Sequence, residues 1–129
     1  MGLGAIALVT VPVTDQDRAK SFYVNVLGFK ERFDYVMDAE QAGSAGAGAR
    51  WVMLTPPGGG ADITLSNWTT PPGTGSLSIE CDDADGTYAE LQARGVESAS
   101  EPQDAQWGRW FGLDDPDGNS WLVVQPKVM

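Results

Sequence analysis

The period of apolar and polar positions changes along the chain, and each change marks an element. Residues 5–13, AIALVTVPV, are apolar and rich in β-branched side chains, which predicts a buried strand. Asp15 follows as an N-cap. Ala19, Phe22, Tyr23 and Val26 then recur at helical spacing up to Gly28, which predicts an amphipathic helix over Asp15–Leu27. Phe29–Val36 and Arg50–Thr55 read as strands flanking Met37–Ala49, a loop-like stretch of small residues and glycines. Pro56-Pro57-Gly58-Gly59-Gly60 is a turn, and Ala61–Trp68 is another strand.

The pattern then restarts. Ser76–Cys81 reads as a strand with Leu77, Ile79 and Cys81 on one face. Asp83 caps a helix that runs through Ala93 and ends at Gly95. Val96–Ser100 is a short strand. Arg109–Asp114 and Ser120–Pro126 are strands joined by the turn Asp115-Pro116-Asp117-Gly118-Asn119. Val9, Val11 and Val13 correspond to Leu77, Ile79 and Cys81 at one fixed offset. Asp15 matches Asp83, and Gly28 matches Gly95 with a slip of one residue. The chain therefore reads as an α+β fold, a single domain over 1–129 built from two tandem β-α-β-β-β modules, 1–68 and 76–129, with a linker at 69–75. A module of roughly 60 residues is marginal alone, so the two are expected to pack together.

Composition narrows the function. In 129 residues, 18 acidic side chains against 8 basic ones give a net charge of -10, with no basic cluster, which argues against nucleic acid as a partner. The charge serves solubility, or a preference for neutral or cationic ligands. No apolar run reaches the roughly 18 residues of a membrane span, so no membrane partner is expected. A single cysteine, Cys81, and no visible export signal point to a cytoplasmic protein. The absence of histidine removes serine-triad hydrolysis, histidine general-base catalysis and imidazole metal ligands together. Three motif-like stretches carry no chemistry in context. Gly2-Leu3-Gly4-Ala5-Ile6-Ala7 lacks the preceding strand of a dinucleotide fingerprint. Gly58-Gly59-Gly60 lacks the Lys-Ser or Lys-Thr of a phosphate loop, and Asn67-Trp68-Thr69 is a glycosylation sequon only by letter.

Val13-Thr14-Asp15, Phe22-Tyr23 and Leu27-Gly28-Phe29 form one set of markers. Gly95-Val96, Trp107-Gly108, Asp115-Pro116-Asp117-Gly118-Asn119 and Trp121 form a second. In that order, and on a repeated β-α-β-β-β frame, they resemble the vicinal oxygen chelate superfamily, which contains glyoxalase I, bleomycin-resistance proteins and extradiol dioxygenases. The resemblance implies two curved sheets, a cupped mixed sheet usually completed in a homodimer, around a cleft. Metal-dependent members hold a divalent ion with four side chains of His, Glu or Gln type. The matching positions here are Leu8, Thr64, Ser76 and Leu122. Two aliphatic groups and two neutral hydroxyls do not replace such ligands, so neither a metal nor another cofactor is expected, and glyoxalase or dioxygenase chemistry is not.

Strand parity then selects candidate ligand contacts. With Leu77 and Ile79 packed on the helix, Ser76, Ser78 and Glu80 face the other way, and Glu80 is the leading acid/base or counter-charge candidate. Thr64 and Asp62 share that parity on their strand; Asp62, beside a turn, is expected to be solvated. Cys81, of core parity, reads as a structural thiol. Phe33 and Tyr35 lie on one probable strand, and Trp51 and Met53 share a face of another. Trp110 faces the cleft side while Trp121 fills the core, and Trp68 and Trp107 sit at strand or loop ends. Flat rings around a concave surface suit a planar, hydrophobic and even cationic ligand.

Two functions remain open, beside a third possibility of an inactive homologue retained as an interaction module. One is a metal-independent binding protein of the bleomycin-resistance type, sequestering a hydrophobic or aromatic compound such as an antibiotic. The other is a metal-free isomerase, cyclase or lyase with Glu80 as its acid/base group and Tyr35 or Asp62 as poorer candidates. Met37–Ala49 is long for a connector, either a flap over the cleft or a tolerated insertion.

Overall fold

A computed structural model describes residues 2–73 and 77–127. The chain divides into two compact units, Met1–Gly73 and Thr74–Met129. In the first, strands β1 (Leu8–Pro12), β2 (Lys30–Val36), β3 (Arg50–Thr55) and β4 (Asp62–Ser66) form a sheet in the order β1-β4-β3-β2, with β1 and β4 parallel. In the second, β5 (Leu77–Glu80), β6 (Gln103–Ala105), β7 (Gly108–Asp114) and β8 (Ser120–Pro126) follow the equivalent order β5-β8-β7-β6, with β5 and β8 parallel. Helix α1 (Gln16–Ser21) crosses from β1 to β2, and α3 (Ala84–Ala93) from β5 to β6; a short helix, α2 (Ala39–Ala42), lies between β2 and β3. The sheets are mixed and the helices few, which is the architecture the internal repeat predicts.

The repeat extends to the caps. The Asp15 and Asp83 carboxylates accept the amides of Arg18 and Gly86 at 3.0 and 3.1 Å, one at the start of each helix. Each helix covers the aliphatic face of its own sheet. In the first unit that face is Val11, Val52, Leu54, Ile63 and Leu65, all buried. In the second it is Leu77, Ile79, Phe111, Leu113, Trp121 and Val123, with Tyr88 of α3 edge-on to Phe111 at 5.6 Å. Trp121 thus fills the core. The buried Gln16 amide donates to the carbonyls of Arg50 and Leu65, both at 2.8 Å, and ties the start of α1 to β3 and β4.

Several boundaries differ from the sequence expectation. The first strand is Leu8–Pro12 rather than residues 5–13, because its partner β4 begins only at Asp62; Leu3 and Ile6 are exposed. The helix predicted over Asp15–Leu27 is α-helical only to Ser21, and Phe22–Val26 forms a wider π-turn closed by the Leu27 amide on the Phe22 carbonyl at 3.2 Å. That turn seats Tyr23 in the core with Phe22 and Phe29, each ring 5.4 Å away. Met37–Ala49 is not bare loop. Asp38 caps α2, a 3-10 turn follows at Gly43–Ala45, and the Met37 amide meets the Ala49 carbonyl at 2.8 Å to close the base.

Val96–Ser100 is not a strand; the strand falls at Gln103–Ala105 instead. Serine side chains explain the difference. Ser98 Oγ accepts the Asp114 amide and donates to the Asp114 carbonyl, both at 3.0 Å. Ser100 Oγ accepts the Gly112 amide at 2.8 Å, and the Ser100 amide donates to the Gly112 carbonyl at 2.8 Å. Hydroxyls thus take over part of the ladder along this stretch of β7.

A charge network binds α1 to its sheet. Asp34 on β2 accepts from Arg50 Nε at 2.6 Å and Nη2 at 2.7 Å and from Lys20 Nζ at 2.6 Å; Lys20 also pairs with Glu31, and Arg50 with Asp17. The Arg50 guanidinium, and then Lys20, hold the Asp34 carboxyl well below the ordinary carboxylate range against the opposing effect of burial. A depressed folded-state pKa stabilises the protein above the unfolded-state value near 3.8, and that stabilisation is lost as pH falls through the window beneath it. Urea midpoints should therefore drop more steeply for wild type than for Asp34→Asn between about pH 4 and pH 2, with the variant less stable by roughly 2 kcal/mol at neutral pH.

Gly108 offers a second check. Its φ is +147°, and a Cβ there would lie 2.2 Å from the Gln125 carbonyl oxygen. Gly108→Ala should cost at least about 2–3 kcal/mol in thermal or urea denaturation. Gly112→Ala, whose Cβ would meet Ser100 Oγ at 3.6 Å, should stay within about 1 kcal/mol of wild type.

Candidate functional site

With the helix on one side, each sheet keeps a helix-free face. In the first unit, cross-strand register assembles it residue by residue. Leu8 pairs with Asp62, Thr10 with Thr64, Thr64 with Met53, Met53 with Phe33, and Trp51 with Tyr35, and directly paired residues share a face. Phe33, Tyr35, Trp51, Met53 and Thr64 are thereby brought together. The Phe33 and Tyr35 rings meet edge-on at 6.4 Å and remain 47% and 40% exposed. Trp51 is half-buried and Met53 buried. Thr64 is buried, and its hydroxyl donates to the Val52 carbonyl at 3.1 Å, so it contributes floor rather than an unengaged hydroxyl. Trp68 is half-buried just beyond β4.

A β-bulge makes this arrangement work. Glu31 pairs with Leu54 while Phe33 pairs with Met53, so Arg32 is an extra residue in β2. Without it, Glu31 and Phe33 would point to the same side. With it, Glu31 joins Lys20 on the helix side and Phe33 joins Met53 on the other. The extra residue is itself placed for chemistry. Arg32 Nη1 lies 2.6 Å from Asp62 Oδ2, and its guanidinium carbon is 5.8 Å from the Phe33 ring centroid. Asp62 is therefore not the solvated carboxylate expected from its position beside a turn. It is 3% exposed, and Arg32 reaches across β3 to ion-pair it. Arg32 was missed from sequence because a bulge breaks the alternation by which faces are read; its only signal was a cation beside an aromatic pair.

In the second unit, Ser78 pairs with Leu122, Glu80 with Val124, and Trp110 with both Val124 and Gln103. Ser78 and Glu80 are exposed, and Trp110 is half-buried on the same face. Trp107, at the β6–β7 turn, is half-exposed with its ring 6.1 Å from that of Trp110. Ser76 lies outside the described residues. Cys81 is half-buried, and burial pushes its thiol up.

At three of the four positions where the resemblance places metal ligands, the side chains do not suit a divalent ion. Leu8 and Leu122 have no donor atom, and the Thr64 hydroxyl is engaged with Val52. Among the described residues, no group of three or more His, Cys, Asp or Glu side chains converges to hold a metal.

Residues 5–123 match the model of the Glyoxalase/Bleomycin resistance protein/Dioxygenase superfamily. This chain belongs to that superfamily, and its two mixed four-stranded sheets match that fold. Among solved structures it is similar to TnmS3, an antibiotic binding protein from Streptomyces sp. CB03234, at 35% identity and a TM-score of 0.84 over 98% of this chain and 99% of that one. A glyoxalase/bleomycin resistance protein from the same organism is similar at 36% identity and a TM-score of 0.76, over 94% of this chain and 100% of that one. YetH, an uncharacterized protein of Bacillus subtilis (strain 168), is 31% identical over 93% of this chain and 97% of its own length.

Removing Arg32 would leave Asp62 as a buried charge without its cation. Arg32→Ala should therefore cost about 2–3 kcal/mol in urea denaturation. Adding Asp62→Asn to it should recover part of that loss, a coupling that a double-mutant cycle measures directly.

Proposed function

We propose that this protein binds and sequesters a planar hydrophobic or aromatic compound of antibiotic type, without a metal and without changing it. The observation that carries this reading is the exposed Phe33–Tyr35 pair, set beside Trp51 and Met53 on the helix-free face of the first sheet. Rings left accessible on a sheet face stack on flat ligands, each stacked pair contributing about 0.5–1.5 kcal/mol beyond the area it buries. Trp107 and Trp110, with Ser78 and Glu80 nearby in register, give the second sheet an aromatic surface of the same kind. Similarity to TnmS3, an antibiotic binding protein, supports the reading. The net charge of -10 favours ligands that are neutral or cationic. The reading includes a cytoplasmic homodimer, which light scattering checks as twice the chain mass.

The test is to incubate the protein with a panel of planar aromatic and glycopeptide antibiotics and analyse what it retains by mass spectrometry. A retained compound of unchanged mass is the expected result. Phe33→Ala and Trp51→Ala should each weaken its binding by roughly tenfold, the equivalent of about 1.4 kcal/mol. A compound of altered mass would instead identify an enzyme, with turnover abolished by Glu80→Gln. Retention of nothing, or affinity indifferent to both ring substitutions, would overturn the proposal.

A further inference from the structure

We infer that Asp62 is the anchoring carboxylate of a cation subsite on the helix-free face of the first sheet, with Arg32 as its resident, displaceable cation. The ligand class is then an aromatic compound bearing a protonated amine or guanidinium. This inference rests on the binding reading above and narrows its ligand.

The two partners differ sharply in burial. Asp62 is 3% exposed and Arg32 is 57% exposed, although their atoms meet at 2.6 Å. The carboxylate is fixed in the first position of β4, paired in register with Leu8. The guanidinium arrives on a long side chain from a bulge two strands away. Lys20 and Arg50 of the same unit are held differently. Lys20 bridges Glu31 and Asp34, and Arg50 bridges Asp17 and Asp34, with side chains only 25% and 27% exposed.

That asymmetry decides which partner a ligand can replace. An anionic ligand competing for Arg32 would strand Asp62, a buried charge left without a cation, which is costly. A cationic ligand competing for Asp62 would release Arg32, which is already mostly solvated. Exchange of one cation for another keeps Asp62 paired throughout. The Phe33 ring, already beside the guanidinium at 5.8 Å, offers the incoming cation the same attraction. Tyr35, Trp51 and Met53 continue the same face and would take the aromatic body attached to it. The net charge of -10 raises the local concentration of such a ligand rather than opposing it.

The experiment compares three tricyclic probes by isothermal titration calorimetry: 9-aminoacridine as the cation, acridone as the neutral analogue and anthracene-9-carboxylate as the anion. The cation should bind wild type at least tenfold more tightly than either other probe. Arg32→Ala, which removes the internal competitor, should tighten 9-aminoacridine by about tenfold and leave acridone within twofold. Asp62→Asn should abolish the preference for the cation while acridone still binds. Circular dichroism establishes that each variant is folded. A measurement on wild type alone stands beside them: the Arg32 Hε resonance should move on addition of 9-aminoacridine and stay in place with acridone.

Equal affinity for cation and neutral probe, with Arg32→Ala without effect, would overturn the subsite while leaving the binding reading intact. Cation affinity unchanged in Asp62→Asn would assign it to the diffuse acidic surface and overturn the subsite likewise. Failure of all three probes to bind, together with the empty antibiotic panel described above, would overturn both.

Discussion

A strand presents its side chains alternately to two faces, and in each unit of this protein a helix occupies one of them. Everything else follows from that partition. The aliphatic positions Val11, Val52, Leu54, Ile63 and Leu65 are committed to the helix side, so whatever the sheet offers a ligand must come from the intervening positions. Those positions carry Phe33, Tyr35, Trp51 and Met53 in the first unit and Ser78, Glu80 and Trp110 in the second. Burial of one set stabilises the unit, and leaves the other set available for recognition without cost to the core.

The bulge at Arg32 is where the partition is adjusted. Strict alternation would place Glu31 and Phe33 on the same side of β2, putting either a charge among the rings or a ring against α1. One extra residue resolves the conflict and produces a long, flexible cation at the boundary between the ion-pair network and the aromatic face. Opposite sides of a single strand therefore serve different ends. Asp34 holds Lys20 and Arg50 against the helix for stability, while Arg32 holds Asp62 on the face proposed to meet the ligand.

Much of the fold was legible because it is written twice. Two Asp caps, two glycine helix stops and two apolar strand triplets at one offset are hard to obtain by accident, and the two units share one strand order. Alternation within a strand places Trp51 and Met53 on one face and Trp121 inward; that Phe33 and Tyr35 lie beside them depends on cross-strand register and the bulge, which alternation does not carry. What it could not reach involved residues that leave the alternation or bond through side chains. Arg32 sits in a bulge, Asp62 is ion-paired by a partner 30 residues away, and Ser98 and Ser100 use hydroxyls for bonds that a strand would make through its backbone alone. The π-turn at Phe22–Val26 belongs to the same group, since its width is set by the seat that Tyr23 takes in the core.

The serine contacts have a consequence for how this molecule behaves in a crowded solution. A sheet edge with unmatched amides and carbonyls is a template on which a foreign strand can add, and from there a fibril can grow. Beyond the short β6, the margin of β7 would be such a template. Instead Ser98 engages both backbone groups of Asp114, and Ser100 both of Gly112, from a segment too irregular to be extended in its turn. The margin is closed largely by serine hydroxyls that satisfy it without propagating it, which leaves this protein one less way to aggregate.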